Sequence, residues 1–123
     1  IVTRMARDLD IPVEVVPVET VREADGLAMS SRNIYLSDAH RAIAPTIYRT
    51  ISNVAGAIRG GDKPAVAAAK GAKMLTETGI ERVEYLDVRD AATLSDEWIE
   101  GRAARVFTAV HLGKTRLIDN IAI

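Results

Sequence analysis

Five branched aliphatic residues, Ile43, Ile47, Ile51, Val54 and Ile58, recur at spacings of four, four, three and four. That period lines one face of a long helix and commits the face to packing on something. Ser37, just ahead of the run, is a good N-cap, and Asp38 puts a carboxylate in the first turn, where the helix dipole favours it. Pro45 sits inside the run and should break or kink the helix near Ala44. Gly60-Gly61 ends it. Asp62-Lys63-Pro64 then starts a second helix with proline in its first turn. Val66, Ala69 and Leu75 are expected to face inward, and Gly79 closes the helix.

The remainder supplies the packing partner. Arg82–Arg89, Ala104–Leu112 and Thr115–Ile121 read as strands, and only Gly113-Lys114 separates the last two. Glycine in first place suits a two-residue hairpin turn. Between the first two strands, Ser95-Asp96-Glu97-Trp98 is expected to form a short helical turn, with Trp98 as a core or hinge plug. Residues 37–123 therefore read as helices on a small three-stranded antiparallel sheet. Aromatic residues make up only 4% of the chain, so the core must be aliphatic and alanine-rich.

The first 18 residues follow a different pattern. Ile1, Val2, Met5 and Leu9 recur at helix spacing, and Pro12 stops the helix by disfavouring α geometry at Ile11. Val13–Val18 then reads as a short β-branched strand. A helix running straight into an apolar strand is the tail of a βαβ unit and implies a parallel sheet, yet no other obvious parallel strand follows. Such a strand would present an open edge to a second copy or another surface. The helical pattern is already under way at Ile1, so the chain is expected to be part of something longer.

Bulk properties exclude several function classes. Lys+Arg is 16 and Asp+Glu is 17, a net charge of −1, which argues against a general nucleic-acid grip. There is no cysteine, hence no disulfide framework and no thiolate metal site. No apolar run approaches the roughly 18 residues that span a membrane, and no signal segment opens the chain. A cytoplasmic location is expected.

The chemistry concentrates in Ala24–Ser37, ADGLAMSSRNIYLS. Ser30 and Ser31 offer two hydroxyl donors, and Arg32 beside them can neutralise charge and donate twice. Asp25-Gly26 supplies a turn. The group is a plausible grip for a polyphosphate, where positioning and charge stabilisation supply most of the catalysis. By spacing alone, Ser-Ser-Arg also occurs in ordinary loops and in kinase-target sequences. His40 reads as a solvated first-turn residue, and His111 on its strand has no evident acid–base partner. Asp87, Asp90 and Asp119 lie on or beside strands, and Arg116 and Asp119 either pair or face solvent. No His or carboxylate pair stands at metal-ligand spacing, so no metal site is assigned to this chain.

Val21-Arg22-Glu23-Ala24-Asp25-Gly26-Leu27-Ala28-Met29-Ser30-Ser31-Arg32-Asn33, with Tyr35-Leu36 after it, closely resembles the pantoate–β-alanine ligase family. Arg4-Met5 with Asp8-Leu9, Arg41–Pro45, and Leu112-Gly113 with Thr115–Asn120 extend the resemblance over essentially the whole chain. The resemblance implies an α/β protein. Residues 1–18 would be the remnant of a Rossmann-like nucleotide-binding domain, 19–36 a phosphate loop and linker, and 37–123 an α+β C-terminal lid domain. It also implies a reaction: pantoate is activated by ATP to pantoyl adenylate and pyrophosphate, then β-alanine displaces AMP to give pantothenate. Magnesium would accompany the ATP, and the whole enzyme would be a homodimer. Met29-Ser30-Ser31-Arg32 resembles the KMSKS loop of class I aminoacyl-tRNA synthetases, with Ser31 in the place of the second lysine and the positive charge moved to Arg32. Ser30, Ser31 and Arg32 would be catalytic and hold the ATP phosphates. Met29 and Val21 would contact the nucleotide, Val21 by its backbone. The family's histidine motif and its Gly-x-Lys-Asp-x-x-Gln stretch would lie upstream of Ile1, with most pantoate and β-alanine contacts, so these residues alone should be inactive. The alternative is a non-catalytic interaction module with the same fold, or a phosphorylation target at Ser30 or Ser31. The upstream coding sequence discriminates between them.

Overall fold

A computed structural model describes residues 1–97 and 101–123. Four α-helices, α1 (Val2–Asp8), α2 (Asp38–Ile43), α3 (Thr46–Arg59) and α4 (Pro64–Glu77), accompany three strands, β1 (Arg82–Asp90), β2 (Ala104–Leu112) and β3 (Thr115–Ala122). Helix and strand boundaries in 37–123 fall close to those expected from the sequence. Ser37 caps α2, its Oγ accepting from the His40 N–H at 3.2 Å. Ala44-Pro45 divides α2 from α3, because Pro45 has no N–H to continue the ladder.

The sheet runs in the order β1-β2-β3 with both pairings antiparallel. Alternation sends Leu86 and Val88 of β1, Val106 and Val110 of β2 and Leu117 of β3 into the core against α3 and α4. Tyr85, Phe107, His111 and Arg116 fall on the opposite face. The β1–β2 register slips between Val83 and Tyr85, which leaves Glu84 as the extra residue of a β-bulge.

Helix α4 differs from expectation. Val66 and Ala69 are exposed, and the inward stripe is Ala67, Gly71 and Leu75. The cause is close approach. A Cβ on Gly71 would lie 2.5 Å from Val54 Cγ2 and 3.1 Å from Leu86 Cδ1, so the seam has no room for a side chain at that position.

The segment 13–18 is a second correction. It forms no strand, and Val13, Val16 and Val18 are exposed. β-structure needs a neighbour to take its backbone hydrogen bonds, and no described strand runs beside this segment. Helix α1 does form, and it closes with the Ile11 N–H on the Ala6 carbonyl at 2.9 Å. The expected helical turn near Ser95 is also missing: Ser95–Glu97 are not helical, and Trp98 lies outside the described residues.

Candidate functional site

The loop before α2 is a built structure. Residues 21–29 fold into a miniature hairpin, with an isolated bridge between Arg22 and Ala28. The Glu23 N–H donates to the Leu27 carbonyl at 2.8 Å, and the Met29 N–H to the Val21 carbonyl at 2.9 Å. Its turn rests on Gly26, at φ +93°, where a Cβ would meet Tyr48 Cδ1 at 2.7 Å. Val21 and Met29, eight residues apart in sequence, thus lie side by side, and both are largely exposed.

A 3₁₀ turn, Ser31–Tyr35, follows. Ser30 caps it, its Oγ accepting from the Arg32 N–H at 3.2 Å. Accepting leaves the Ser30 hydroxyl proton free to donate elsewhere. Ser30, Ser31 and Arg32 all face solvent.

Three ties fix this loop to the rest of the chain. The Arg22 guanidinium grips both Asp119 oxygens on β3, at 2.7 and 2.9 Å, and also donates to the Gly26 carbonyl at 3.1 Å. It stacks 3.7 Å above the Tyr48 ring. The hydrogen bond that Arg22 donates to Asp119 raises its pKa above the ordinary value, against the opposing effect of burial. Arg41 on α2 donates to Asp25 and to Glu23, each at 2.6 Å. Its contact lowers the Asp25 pKa, with further help from the Leu27 N–H. Asn33 Nδ2 donates to Glu23 at 2.7 Å and to the Ala28 carbonyl at 3.1 Å.

These ties sort the arginines. Arg22 and Arg41 are each held by carboxylates of this chain. Among the described residues, Arg32 has no carboxylate within ion-pair distance. A cavity of about 450 Å³ opens beside it, between the loop and the sheet. Met29, Ser30 and Arg32 form one wall, and Phe107, Leu117 and Ile118 line the other side. An apolar pocket with a few converging polar groups is the usual form of a small-molecule site.

Of the residues singled out from the sequence, Val21 and Met29 sit on the hairpin and Ser30, Ser31 and Arg32 on the 3₁₀ turn that follows it, and Met29, Ser30 and Arg32 reach the cavity. Ser31 and Val21 lie outside its lining. Sequence reasoning missed the supporting contacts. Asp119 pairs with Arg22 across 97 positions, not with Arg116, and Arg116 binds Glu84 instead. His111 has partners after all, with Nε2 at 2.9 Å from Glu84 and 2.6 Å from Arg82. His40 is half-buried, 2.9 Å from Glu81. No local signal marked the bidentate Arg22 contact, because its partner stands 97 positions away.

A sequence profile of the Pantoate-beta-alanine ligase family matches residues 1–122. The chain belongs to the pantoate–β-alanine ligase family. Among curated relatives of this ligase family, the pantothenate synthetase of Rhodopseudomonas palustris strain BisA53 is 49% identical over 124 residues, covering 100% of this chain and 44% of the relative. The crystal structure of the pantothenate synthetase from Thermus thermophilus matches with a TM-score of 0.86 at 43% identity, over 98% of this chain and 44% of that one. A third structure, of the pantoate-beta-alanine ligase from Francisella tularensis complexed with beta-gamma ATP and beta-alanine, shares the fold with a TM-score of 0.65 at 23% identity, over 98% of this chain and 37% of that one. The chain thus spans less than half the length of the ligase-family relatives it matches.

Proposed function

We propose that this chain is the C-terminal portion of an ATP-dependent ligase that joins pantoate and β-alanine through a pantoyl-adenylate intermediate, releasing pyrophosphate and AMP. In this reading residues 1–18 belong to a nucleotide-binding domain, 19–36 are the phosphate loop, and 37–123 form the lid. ATP, pantoate and β-alanine bind with the rest of the enzyme, a cytoplasmic homodimer. The observation that carries the reading is the sorting of arginines: Arg22 and Arg41 are held internally, while Arg32 stands with Ser30 and Ser31 on a capped turn at a cavity mouth.

The geometry suits adenylation. A pantoate carboxylate oxygen forms a bond to the α-phosphorus as the bond from that phosphorus to the bridging oxygen breaks. The electron pair leaves on pyrophosphate, so negative charge builds on the β-phosphate. A guanidinium and two hydroxyls carried on the capped turn stabilise that charge. Met29 and the Val21 backbone would contact the nucleotide. The Val21 N–H has no partner among the described residues, whereas its carbonyl accepts from Met29. Magnesium would travel with the nucleotide phosphates. Among the described residues, no three His, Cys, Asp or Glu side chains cluster to hold a metal, and no helix is long and apolar enough to cross a membrane.

The test is adenylation by the full-length protein, followed as pyrophosphate release with ATP, magnesium and pantoate. Arg32→Ala should slow adenylation by about 10²- to 10³-fold, the usual cost of one preorganised transition-state donor. Pantoate binding should change little, and Ser31→Ala should cost less than Arg32→Ala because a neutral donor contributes less. A normal adenylation rate in Arg32→Ala would overturn the phosphate-loop assignment.

A further inference from the structure

The 3₁₀ turn packs against β3, and beside this contact lies a second hollow of about 620 Å³. Arg32, Tyr35, Lys114, Thr115 and Arg116 line it. Three of these five carry positive charge, and none is a carboxylate. Lys114 is exposed at the tip of the β2–β3 hairpin and, like Arg32, has no carboxylate within ion-pair distance among the described residues. Arg116 is oriented rather than neutralised outright. Glu84, the extra residue of the β1 bulge, accepts from Arg116 Nε at 2.9 Å and Nη2 at 3.1 Å, so the carboxylate holds one edge of the guanidinium and does not engage Nη1. His111 Nε2, 2.9 Å from the same carboxylate, holds Glu84 from its other side.

The two hollows share Arg32 and Arg116 but differ in character. The cavity beside Met29 has apolar walls, including Leu27, Ile47 and Leu117. The second hollow has apolar surface too, from the Tyr35 ring, the Thr115 methyl and the side-chain stems, but no counterpart of the Asp119 carboxylate that lines the first. Three cations converging with no carboxylate in the lining suit a multivalent anion. We propose that this hollow is a separate anion subsite that takes a diphosphate, the pyrophosphate leaving the adenylation step, with Arg32 common to both hollows and Lys114 and Arg116 completing the new one. The source of the diphosphate rests on the ligase reading above; the binding itself does not. Charge that develops beside Arg32 then has a second cationic pocket to move into as the pyrophosphate departs.

The experiment is titration of the full-length protein with inorganic pyrophosphate, without ATP, by calorimetry. Lys114 is exposed on a turn, so Lys114→Gln leaves the fold intact. Its pyrophosphate Kd should rise about tenfold, the scale of one charge-assisted contact, while Lys114→Arg stays near wild type. KM for ATP should stay within about twofold in Lys114→Gln. Raising salt should weaken wild-type binding more than that of Lys114→Gln, because the lost contact is an exposed, screened one. Unchanged pyrophosphate affinity in Lys114→Gln would overturn the proposal, as would an equal loss of ATP affinity, which would merge the two hollows. Inorganic phosphate binding as tightly as pyrophosphate would overturn the diphosphate assignment. Lys114-dependent pyrophosphate binding in a protein that makes no pantothenate would support the subsite and overturn the ligase reading instead.

Discussion

Removing both partners of the Arg22–Asp119 pair should cost no more than removing one. The Asp119 side chain is only 3% exposed and that of Arg22 18%, so either group left alone is a charge largely cut off from water. Stripping one member from a fully buried pair costs about 3–5 kcal/mol. Arg22 keeps the Gly26 carbonyl and the Tyr48 ring, and part of its guanidinium reaches solvent. Asp119→Leu should therefore sit at the low end, about 3 kcal/mol. Arg22→Met leaves the Asp119 carboxylate with the Asn120 N–H at 2.7 Å as its remaining donor, and should cost at least as much. Arg22→Met with Asp119→Leu removes both charges and keeps apolar volume, so it should cost about 3 kcal/mol in total instead of about 6, a coupling of about 3 kcal/mol. Natural domains are stable by only about 5–15 kcal/mol, so each single variant should lower the melting temperature by more than about 10 °C. Urea denaturation followed by circular dichroism, with a check for two-state behaviour, measures all four proteins. Amide exchange adds a local readout, because the Glu23 and Met29 N–H groups that hold the hairpin should exchange faster in the single variants. Single-variant costs that simply add, within about 0.5 kcal/mol, would refute the reasoning.

Gly71→Ala should destabilise the chain: the new methyl meets Val54 at 2.5 Å, and overpacking costs about 1–3 kcal/mol, which outweighs a helix-propensity gain of about 1 kcal/mol. Gly56→Ala, on the open face of α3 with nothing within 4 Å, should by contrast be neutral or stabilising in the same denaturation assay. Arg116, with His111, holds Glu84 down to a pKa of about 2 from an ordinary 4.5. A depressed carboxylate stabilises the fold above its unfolded value and loses that contribution as pH falls from about 4.5 towards 2. Melting temperatures of wild type and Glu84→Gln should therefore converge across that window, and a constant gap from pH 7 to pH 2 would contradict it.

The architecture was legible where the signal is local. Ser37, Pro45 and Gly113-Lys114 each act within one turn of themselves, and the elements they bound formed as expected. Alternation along β2 is equally local, since each residue's face is set by its neighbours. Val13–Val18 failed because a strand is a property of two segments. Its composition records a preference for extended backbone, and only a partner converts that into a ladder. Helix α4 failed for a related reason. Val66 and Gly71 both fit a helical period, and which faces inward depends on how near α3 and β1 approach, a distance carried by other parts of the chain.

The site posed the same problem in charge. Arg22, Arg32 and Arg41 are identical in isolation, and nothing within a few residues says which is free to meet an anion. Their fates are decided by carboxylates brought in from elsewhere: Asp119 from the last strand, and Glu23 and Asp25 from the hairpin opposite α2. An arginine already held by carboxylates has little left to offer a phosphate, since a second anion would have to displace the first, and for Arg22 that would leave the buried Asp119 unpaired. The internal pairs therefore act twice. They hold the turn rigid, and by occupying the other two guanidiniums they leave Arg32 to face the cavity mouth beside Ser30 and Ser31. Of these three arginines, the ionic ties of the fold thus leave Arg32 without a carboxylate partner among the described residues.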